Sequence, residues 1–272
     1  MSELFMPGVT PPGENVGSAW WFAFSGNRLL VHEKESQIAI PQLPTLEAIG
    51  LNPLRTQFLG WLGNQPCLSA ELPQQMTPPA DMALRGLREL YAALDETLFS
   101  LAGLGFQVME WDRTHQFCGA CGQPTESANH ERAKRCPSCR ITYYPRVSPA
   151  MIVLISRGDE ILLGRAPRFR AGMYGLIAGY VEPGESLEAA VVREVKEEVG
   201  ITIKDLRYWG SQPWPFPHTL MVGYTATYAE GDIVIDKQEL ADAAWFHKDS
   251  LPLLPPPVSI ARKMIDWFVE TH

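Results

Sequence analysis

Gly179-Tyr-Val-Glu-Pro-Gly-Glu185-Ser-Leu-Glu-Ala-Ala-Val-Val-Arg193-Glu194-Val-Lys-Glu197-Glu198-Val-Gly200-Ile201 is the stretch on which the reading of this chain turns. Ser186 has the chemistry of an N-cap and Gly200 suits the left-handed position beyond a helix end, so the spacing predicts a helix from Ser186 to Val199. At about 100° per residue, Glu194, Glu197 and Glu198 share one face, while Val192, Val195 and Val199 gather on another. Carboxylates three and four residues apart repel by roughly a few tenths of a kcal/mol per pair. A divalent cation among them removes that cost: Mg²⁺ and Mn²⁺ prefer oxygen ligands and bridge carboxylates to substrate phosphates. A solvated acidic face is the bland alternative. The glycine-rich loop entering the helix and Arg193 beside the cluster weigh against it.

Upstream, Met151 to Ile155 reads as a buried strand, Arg157-Gly158-Asp159-Glu160 as a turn and Ile161 to Leu163 as the return strand. With a final helix from Ser259 to about Val269, this half is mixed α/β. Before it stand Cys118-Gly-Ala-Cys121 and Cys136-Pro-Ser-Cys139, with fourteen residues between the pairs. Two Cys-x-x-Cys turns facing each other supply four thiolates at about 2.3 Å from a tetrahedral Zn²⁺, and a site so filled is structural rather than catalytic. Gly119 and Gly122 help the first turn to fold tightly. Disulfides and a redox pair are the competing readings: the first is disfavoured in a chain without an export signal, and a lone redox motif would not come in duplicate. Cys67 stands alone, as a buried small hydrophobe does. The cysteine hairpin also carries Arg132, Lys134, Arg135 and Arg140, which suit either a nucleic-acid contact or a solvated face.

Residues 1 to about 75 are short apolar runs broken by Pro and Gly. Ser18 to Phe24 and Arg28 to Val31 flank a turn and read as a hairpin, and Phe58 to Leu62 reads as a further strand. Asp81 is the expected N-cap of a helix on which Leu84, Leu87, Leu90, Tyr91, Leu94 and Leu98 form a stripe, suited to a core or a dimer seam and ended by Gly103 and Gly105. The whole chain is 46% hydrophobic and 20% charged, which excludes a disordered or fibrous protein. Its 23 basic and 31 acidic residues give a net charge of −8, which excludes a general nucleic-acid coat. The longest apolar run, Ala150 to Ile155, is far short of the ~20 residues that cross a bilayer. With no secretory signal at the N-terminus, the expected location is cytoplasmic.

Gly179, Glu185, Arg193, Glu194, Glu197, Glu198 and Gly200 fill the fixed positions of the Nudix box, and on them the chain resembles the Nudix hydrolases. The resemblance implies an α+β chain: an α/β/α Nudix sandwich with a small β-rich N-terminal domain and a zinc-ribbon insert. It implies catalysis by Glu185, Arg193, Glu194, Glu197 and Glu198, with Mg²⁺ or Mn²⁺ held by Glu194 and Glu198. Glu197 would be a ligand or a base, and Arg193 would orient the cluster. Ten residues beyond the box comes Ser211-Gln-Pro-Trp214-Pro-Phe216-Pro-His218-Thr219. Its alternate prolines favour an extended, preordered backbone. Trp214 and Phe216 on it suit either stacking on a base or packing into a core.

This ribbon resembles the signature of the NADH pyrophosphatases, with Thr219 where that signature has serine. The resemblance extends over a variable N-terminal module (1–110, with the amphipathic helix), the zinc ribbon (111–145) and the hydrolase domain (146–272). It implies hydrolysis of the pyrophosphate of NAD(H) to NMN(H) and AMP, and removal of the NAD cap from RNA 5′ ends. The alternative is another nucleoside diphosphate derivative, such as ADP-ribose or a dinucleoside polyphosphate. Carried over by motif, substrate contacts fall on Arg88, Glu131, Tyr144, Gln212, Pro213, Trp214, Pro215, Phe216, Pro217, His218, Thr219 and Ala261. Ala178 and Glu239 complete the Mg²⁺ or Mn²⁺ site, and Cys118, Cys121, Cys136 and Cys139 hold one Zn²⁺ per subunit. The implied partners are NAD(H), related dinucleotides and capped RNA ends, with no membrane, in a homodimer.

Overall fold

Met151-Ile-Val-Leu-Ile155 is apolar at every position, as a strand is when helices cover both its faces. The computed structural model of the protein describes residues 4–11, 13, 17–35 and 37–272. Its α-helices are α1 (Glu96–Thr114), α2 (Leu187–Val199) and α3 (Ile260–Thr271). The apolar run forms the middle of the strand Ser148–Arg157. Side chains alternate across it. Met151, Val153 and Ile155 join Val191, Val195 and Val199 of α2, while Ile152 and Leu154 join Met264, Ile265 and Phe268 of α3.

The sheet between these helices has six strands, in the order Thr202–Trp214, Thr219–Glu230, Ser148–Arg157, Glu160–Arg165 and Asp242–His247, with Ile177–Tyr180 also paired to Ser148–Arg157. Ser148–Arg157 and Thr219–Glu230 run parallel, and their neighbours antiparallel. The result is the expected α/β/α sandwich. It belongs to one of two compact units, Val147–Trp214 with His218–His272; the other is Met1–Arg146 with Pro215–Pro217.

The first unit is β-rich, as expected. Ala19–Ser25 and Arg28–Lys34 form the hairpin, and Arg55–Leu62 and Gln65–Glu71 another, within a sheet of eight strands. The helix expected after Asp81 is not there. Asp81 has φ +60, in the left-handed region, whereas an N-cap needs an extended backbone. Met82–Gly86 is instead a strand on Arg28–Lys34, followed by a 3-10 turn over Leu87–Ala92. The leucine stripe thus spans three elements. Leu87, Leu90 and Leu94 are buried with Phe22, Leu29 and Leu59, so the stripe is core rather than seam.

The real helix starts one element later, where Asp95 accepts from the Leu98 N–H at 2.9 Å. It runs straight through Gly103 and Gly105, the residues read as its stop. A Cβ on Gly105 would stand 3.1 Å from Phe22 Cβ and 3.4 Å from Ser69 Oγ; one on Gly103 would stand 2.9 Å from Pro215 Cγ. The cost of glycine in a helix, about 1 kcal/mol relative to alanine, is offset by the close approach of helix and neighbours. Ser69 Oγ takes advantage of it, donating to the Gly105 carbonyl at 2.9 Å.

Two cations of the cysteine hairpin are structural. Lys134 is buried in a salt bridge to Asp112 of α1, and Arg132 donates to the backbone carbonyls of Gly8, Phe58 and Leu59. That leaves Arg135 and Arg140 exposed, too few for a basic face. Cys67 is fully buried, and burial pushes its thiol up to about 12. Among the described residues no helix is long and apolar enough to cross a membrane.

Candidate functional site

α2 is built as its sequence dictates. Ser186 Oγ accepts from the Ala189 N–H at 3.2 Å, and Gly200 takes φ +75 just beyond Val199. Its buried arc runs from Ala190 and Val191 through Val195 to Val199, and Glu194 and Glu198 lie within that arc, 8% and 6% exposed. Val192, expected among the packing valines, falls past the edge of the arc and stands exposed; Val191 packs in its place.

Two neighbours make room for the buried carboxylates. On the strand side, Gly179 meets the helix: a Cβ there would fall 2.1 Å from Glu194 Cδ. On the other side, the chain after the last long hairpin is stitched to the end of α2, with Val234 N–H on the Val199 carbonyl and Asp236 N–H on the Glu198 carbonyl, both at 3.0 Å. The Asp236 carbonyl then accepts from Glu239 N–H. This brings Glu239 to the cluster, so that carboxylate oxygens of Glu194, Glu198 and Glu239 lie within 4.8 Å of one another. Ala178, expected in the same site, is the residue before Gly179 on this strand.

Burial first, and then the charges of Glu194 and Glu239, push Glu198 up to about 8; Glu194 is raised mainly by burial. Three crowded carboxylates, two of them buried, are unfavourable alone and favourable around a hard divalent cation. The donor set therefore fits Mg²⁺ or Mn²⁺.

Arg193 braces the cluster from outside. It donates to both oxygens of Glu185 (2.6 and 2.9 Å), to Glu194 and Glu197 (2.9 Å each) and to the Tyr180 carbonyl (3.1 Å). These bonds, with one from Glu182 N–H, hold the Glu185 carboxyl down at about 2. Glu197 is the exposed member of the set.

The ribbon is not one extended piece. Ser211 to Trp214 is strand, but Trp214 pairs with Thr219 across a hairpin, so Pro215 to His218 form its turn. Gln212 has both ends of its amide engaged, donating to the Val258 carbonyl at 2.7 Å and accepting from the Ile260 N–H at 2.6 Å. Thr219 is buried, with its hydroxyl 2.9 Å from that of Tyr180, and His218 Nδ1 lies 3.1 Å from Ser148 Oγ. Pro213 and Pro217 are exposed, and the Ala261 side chain is buried with the α3 core. Tyr180, which joins Arg193 through its carbonyl and Thr219 through its hydroxyl, was missed by sequence reasoning; its place inside the box was the available signal.

In the first unit, Phe216 packs on the apolar cluster of α1, with the Arg88 guanidinium 4.3 Å above its ring, and Pro215 is buried. Phe216 is partly buried there, its ring packed against that cluster. Tyr144 Oη donates to Glu131 at 3.1 Å. The sulfurs of Cys118, Cys121, Cys136 and Cys139 lie within 4.8 Å of one another, with close pairs at 3.4, 3.5 and 3.8 Å. Bonds of about 2.3 Å to a tetrahedral zinc put sulfurs at such separations, well beyond a disulfide bond. Gly122 takes φ +72 as the first turn requires, and Tyr143 Oη braces that turn, 3.1 Å from Cys118 Sγ and accepting from Gly119 N–H.

Three family models match the chain: an NADH pyrophosphatase-like rudimentary NUDIX domain over residues 18–111, an NADH pyrophosphatase zinc ribbon domain over 113–144 and a NUDIX domain over 145–268. Among curated relatives, the NAD-capped RNA hydrolase NudC of Pseudomonas putida (strain W619) is 46% identical over 269 residues, covering 99% of this chain and 95% of its own. The protein of that name from Stutzerimonas stutzeri (strain A1501) is 48% identical over 227 residues, 82% and 81% of the two chains. That from Deinococcus radiodurans is 50% identical over 217 residues, 78% and 77%.

Proposed function

The chain belongs to the zinc-ribbon NADH pyrophosphatase family of Nudix hydrolases, and from that premise we propose how its own residues carry the family's reaction. The protein hydrolyses the pyrophosphate bond of NAD(H), adding water to give NMN(H) and AMP, and removes the NAD cap from RNA 5′ ends by the same cleavage. The observation that carries the chemistry is the convergence of Glu194, Glu198 and Glu239 within 4.8 Å in the space that Gly179 leaves open.

We assign these three, with the Ala178 carbonyl, to a divalent cation, Mg²⁺ or Mn²⁺. Such a cation, when bound, neutralises phosphate oxygens and makes water a better nucleophile. Glu197, exposed beside the cluster, orients the attacking water and takes its proton. Arg193 fixes the angles of Glu194 and Glu197, and Glu185 fixes Arg193. The substrate contacts that the family motifs imply are Gln212 to Thr219, Arg88, Glu131, Tyr144 and Ala261; Gln212 also acts as a brace of backbone.

The chain carries a structural zinc centre in its ribbon, held by the four cysteines. Such a centre needs thiolates, which a reducing cytoplasm maintains; that location is part of the proposal. So are the division at 1–110, 111–145 and 146–272 and a homodimer. The exposed apolar side chains of Phe117, Ile141 and Tyr144 are surface that a second copy would cover. Incubation of metal-stripped protein with NADH and either Mg²⁺ or Mn²⁺ yields NMNH and AMP, and none without added metal. The absence of both products under each metal overturns the reading. Preference for ADP-ribose in direct competition with NADH moves it to the alternative substrate class.

A further inference from the structure

Pyrophosphate is an anion, and the site that receives it is lined with carboxylates. Arg193 cannot resolve that conflict, because all five of its N–H donors are engaged by Glu185, Glu194, Glu197 and the Tyr180 carbonyl. A guanidinium so occupied has nothing left for a substrate oxygen. A side-chain donor for phosphate oxygens beyond the divalent cation must therefore come from elsewhere, and the chain between Gly164 and Gly175 supplies a candidate.

These two glycines exchange backbone hydrogen bonds at 2.9 and 2.8 Å and pinch the intervening residues into a loop. Arg165, where the loop leaves the sheet, pairs with Asp242, and its carbonyl accepts from Ala241 N–H at 2.8 Å. The segment bearing Glu239 therefore enters the sheet where this loop departs. Inside the loop the Ala166 carbonyl accepts from Phe169 N–H at 3.0 Å, closing a turn with Pro167 and Arg168 at its two central positions. Phe169 anchors the turn, its ring 3.3 Å from where a Cβ on Gly175 would lie.

The arginines of this loop are not equivalent. Arg165 is tied into the sheet, pairing with Asp242, whose carboxylate accepts from the Tyr174 hydroxyl. Arg168 is exposed at the turn, and among the described residues it joins no ion pair. It stands three residues beyond Arg165, whose carbonyl is bonded by Ala241 N–H two residues past Glu239, so the turn and the carboxylate cluster belong to the same edge of the sheet.

We propose that Arg168 is a phosphate-binding residue of this hydrolase, holding oxygens of the dinucleotide pyrophosphate from the turn of the pinched loop beside the Glu194, Glu198 and Glu239 cluster. The inference rests on the functional reading above. It adds a side chain that lies outside both the box and the ribbon.

The test is steady-state NADH hydrolysis at saturating metal by the wild type, Arg168→Ala, Arg168→Lys and the loop neighbour Arg170→Ala, with AMP and adenosine as inhibitors. Arg168→Ala lowers kcat/KM by about 10- to 100-fold, the worth of a charged hydrogen bond, and Arg168→Lys recovers part of the loss. Inhibition by AMP weakens in step, while inhibition by adenosine, which has no phosphate, stays as in the wild type. Activity of Arg168→Ala equal to wild type overturns the proposal. So does an equal loss in Arg170→Ala, or a parallel change for AMP and adenosine. If the wild type splits no NADH, the functional reading has failed; AMP binding by calorimetry, wild type against Arg168→Ala, still decides the role of Arg168.

Discussion

Each unit of this protein brings a helix close to a sheet by leaving out a side chain, but on opposite sides of the contact. In the first, the glycine is on the helix: Gly105 of α1 admits Phe22 and Ser69. In the second, it is on the strand: Gly179 admits the carboxylate of Glu194 from α2. The first vacancy is filled by packing and a neutral hydrogen bond, the second by a charge kept 8% exposed among other charges. Glycine is thus used once to gain stability and once to hold an unfavourable group where chemistry needs it. Folding carries the cost of the second arrangement, and function keeps it.

Four measurements would break or sharpen that contrast. The largest effect is expected from Glu198→Gln, which keeps size and removes a ligand charge: kcat falls by about 10³-fold, since the cation's share of transition-state stabilisation is several kcal/mol. The melting temperature holds or rises. Near wild-type turnover would mean that the carboxylates are not the metal site. Gly179→Ala comes next. Its methyl displaces Glu194, and a misplacement of about 1 Å can cost about 100-fold in rate, so kcat drops while the fold persists.

Gly105→Ala is the counterpart in the first unit. Overpacking there lowers stability by about 1–3 kcal/mol, read by urea unfolding, while turnover per folded molecule is unchanged. If Gly179→Ala lost stability without losing rate, the two glycines would be doing the same job.

The smallest effect is a pH slope. With Glu198 pushed up to about 8 by burial and its neighbours, the folded form holds a proton that the unfolded chain releases near 4.5. The favourable contribution is therefore complete below pH 4.5 and fades as pH climbs toward 8. Metal-stripped protein should show a falling melting temperature across that window, and saturating Mg²⁺ should flatten it. A flat profile without metal would mean that Glu198 is not held neutral.

What could be read in advance follows from how local each signal is. The box and the cysteine quartet are short motifs whose side chains meet through one helix or two turns, so spacing alone exposes them. The strand Met151 to Ile155 was legible because burial on both faces leaves no polar position. α1 was not, because glycine is ordinarily a helix breaker. Only Phe22, Ser69 and Pro215, far away in sequence, explain why Gly103 and Gly105 are tolerated. The same non-local logic hid the fates of Lys134 and Arg132: a cation on a hairpin looks solvated until Asp112, or the carbonyls of Gly8 and Phe58, come to meet it.

Gln212 shows how a motif position can mislead about what selection acts on. A primary amide offers a carbonyl and an N–H from one planar group, and with them it satisfies the Val258 carbonyl and the Ile260 N–H together. Glutamate would orphan the first and lysine the second. Across relatives, variation at position 212 should then drift with the residues that start the last helix, not with the molecule being cleaved.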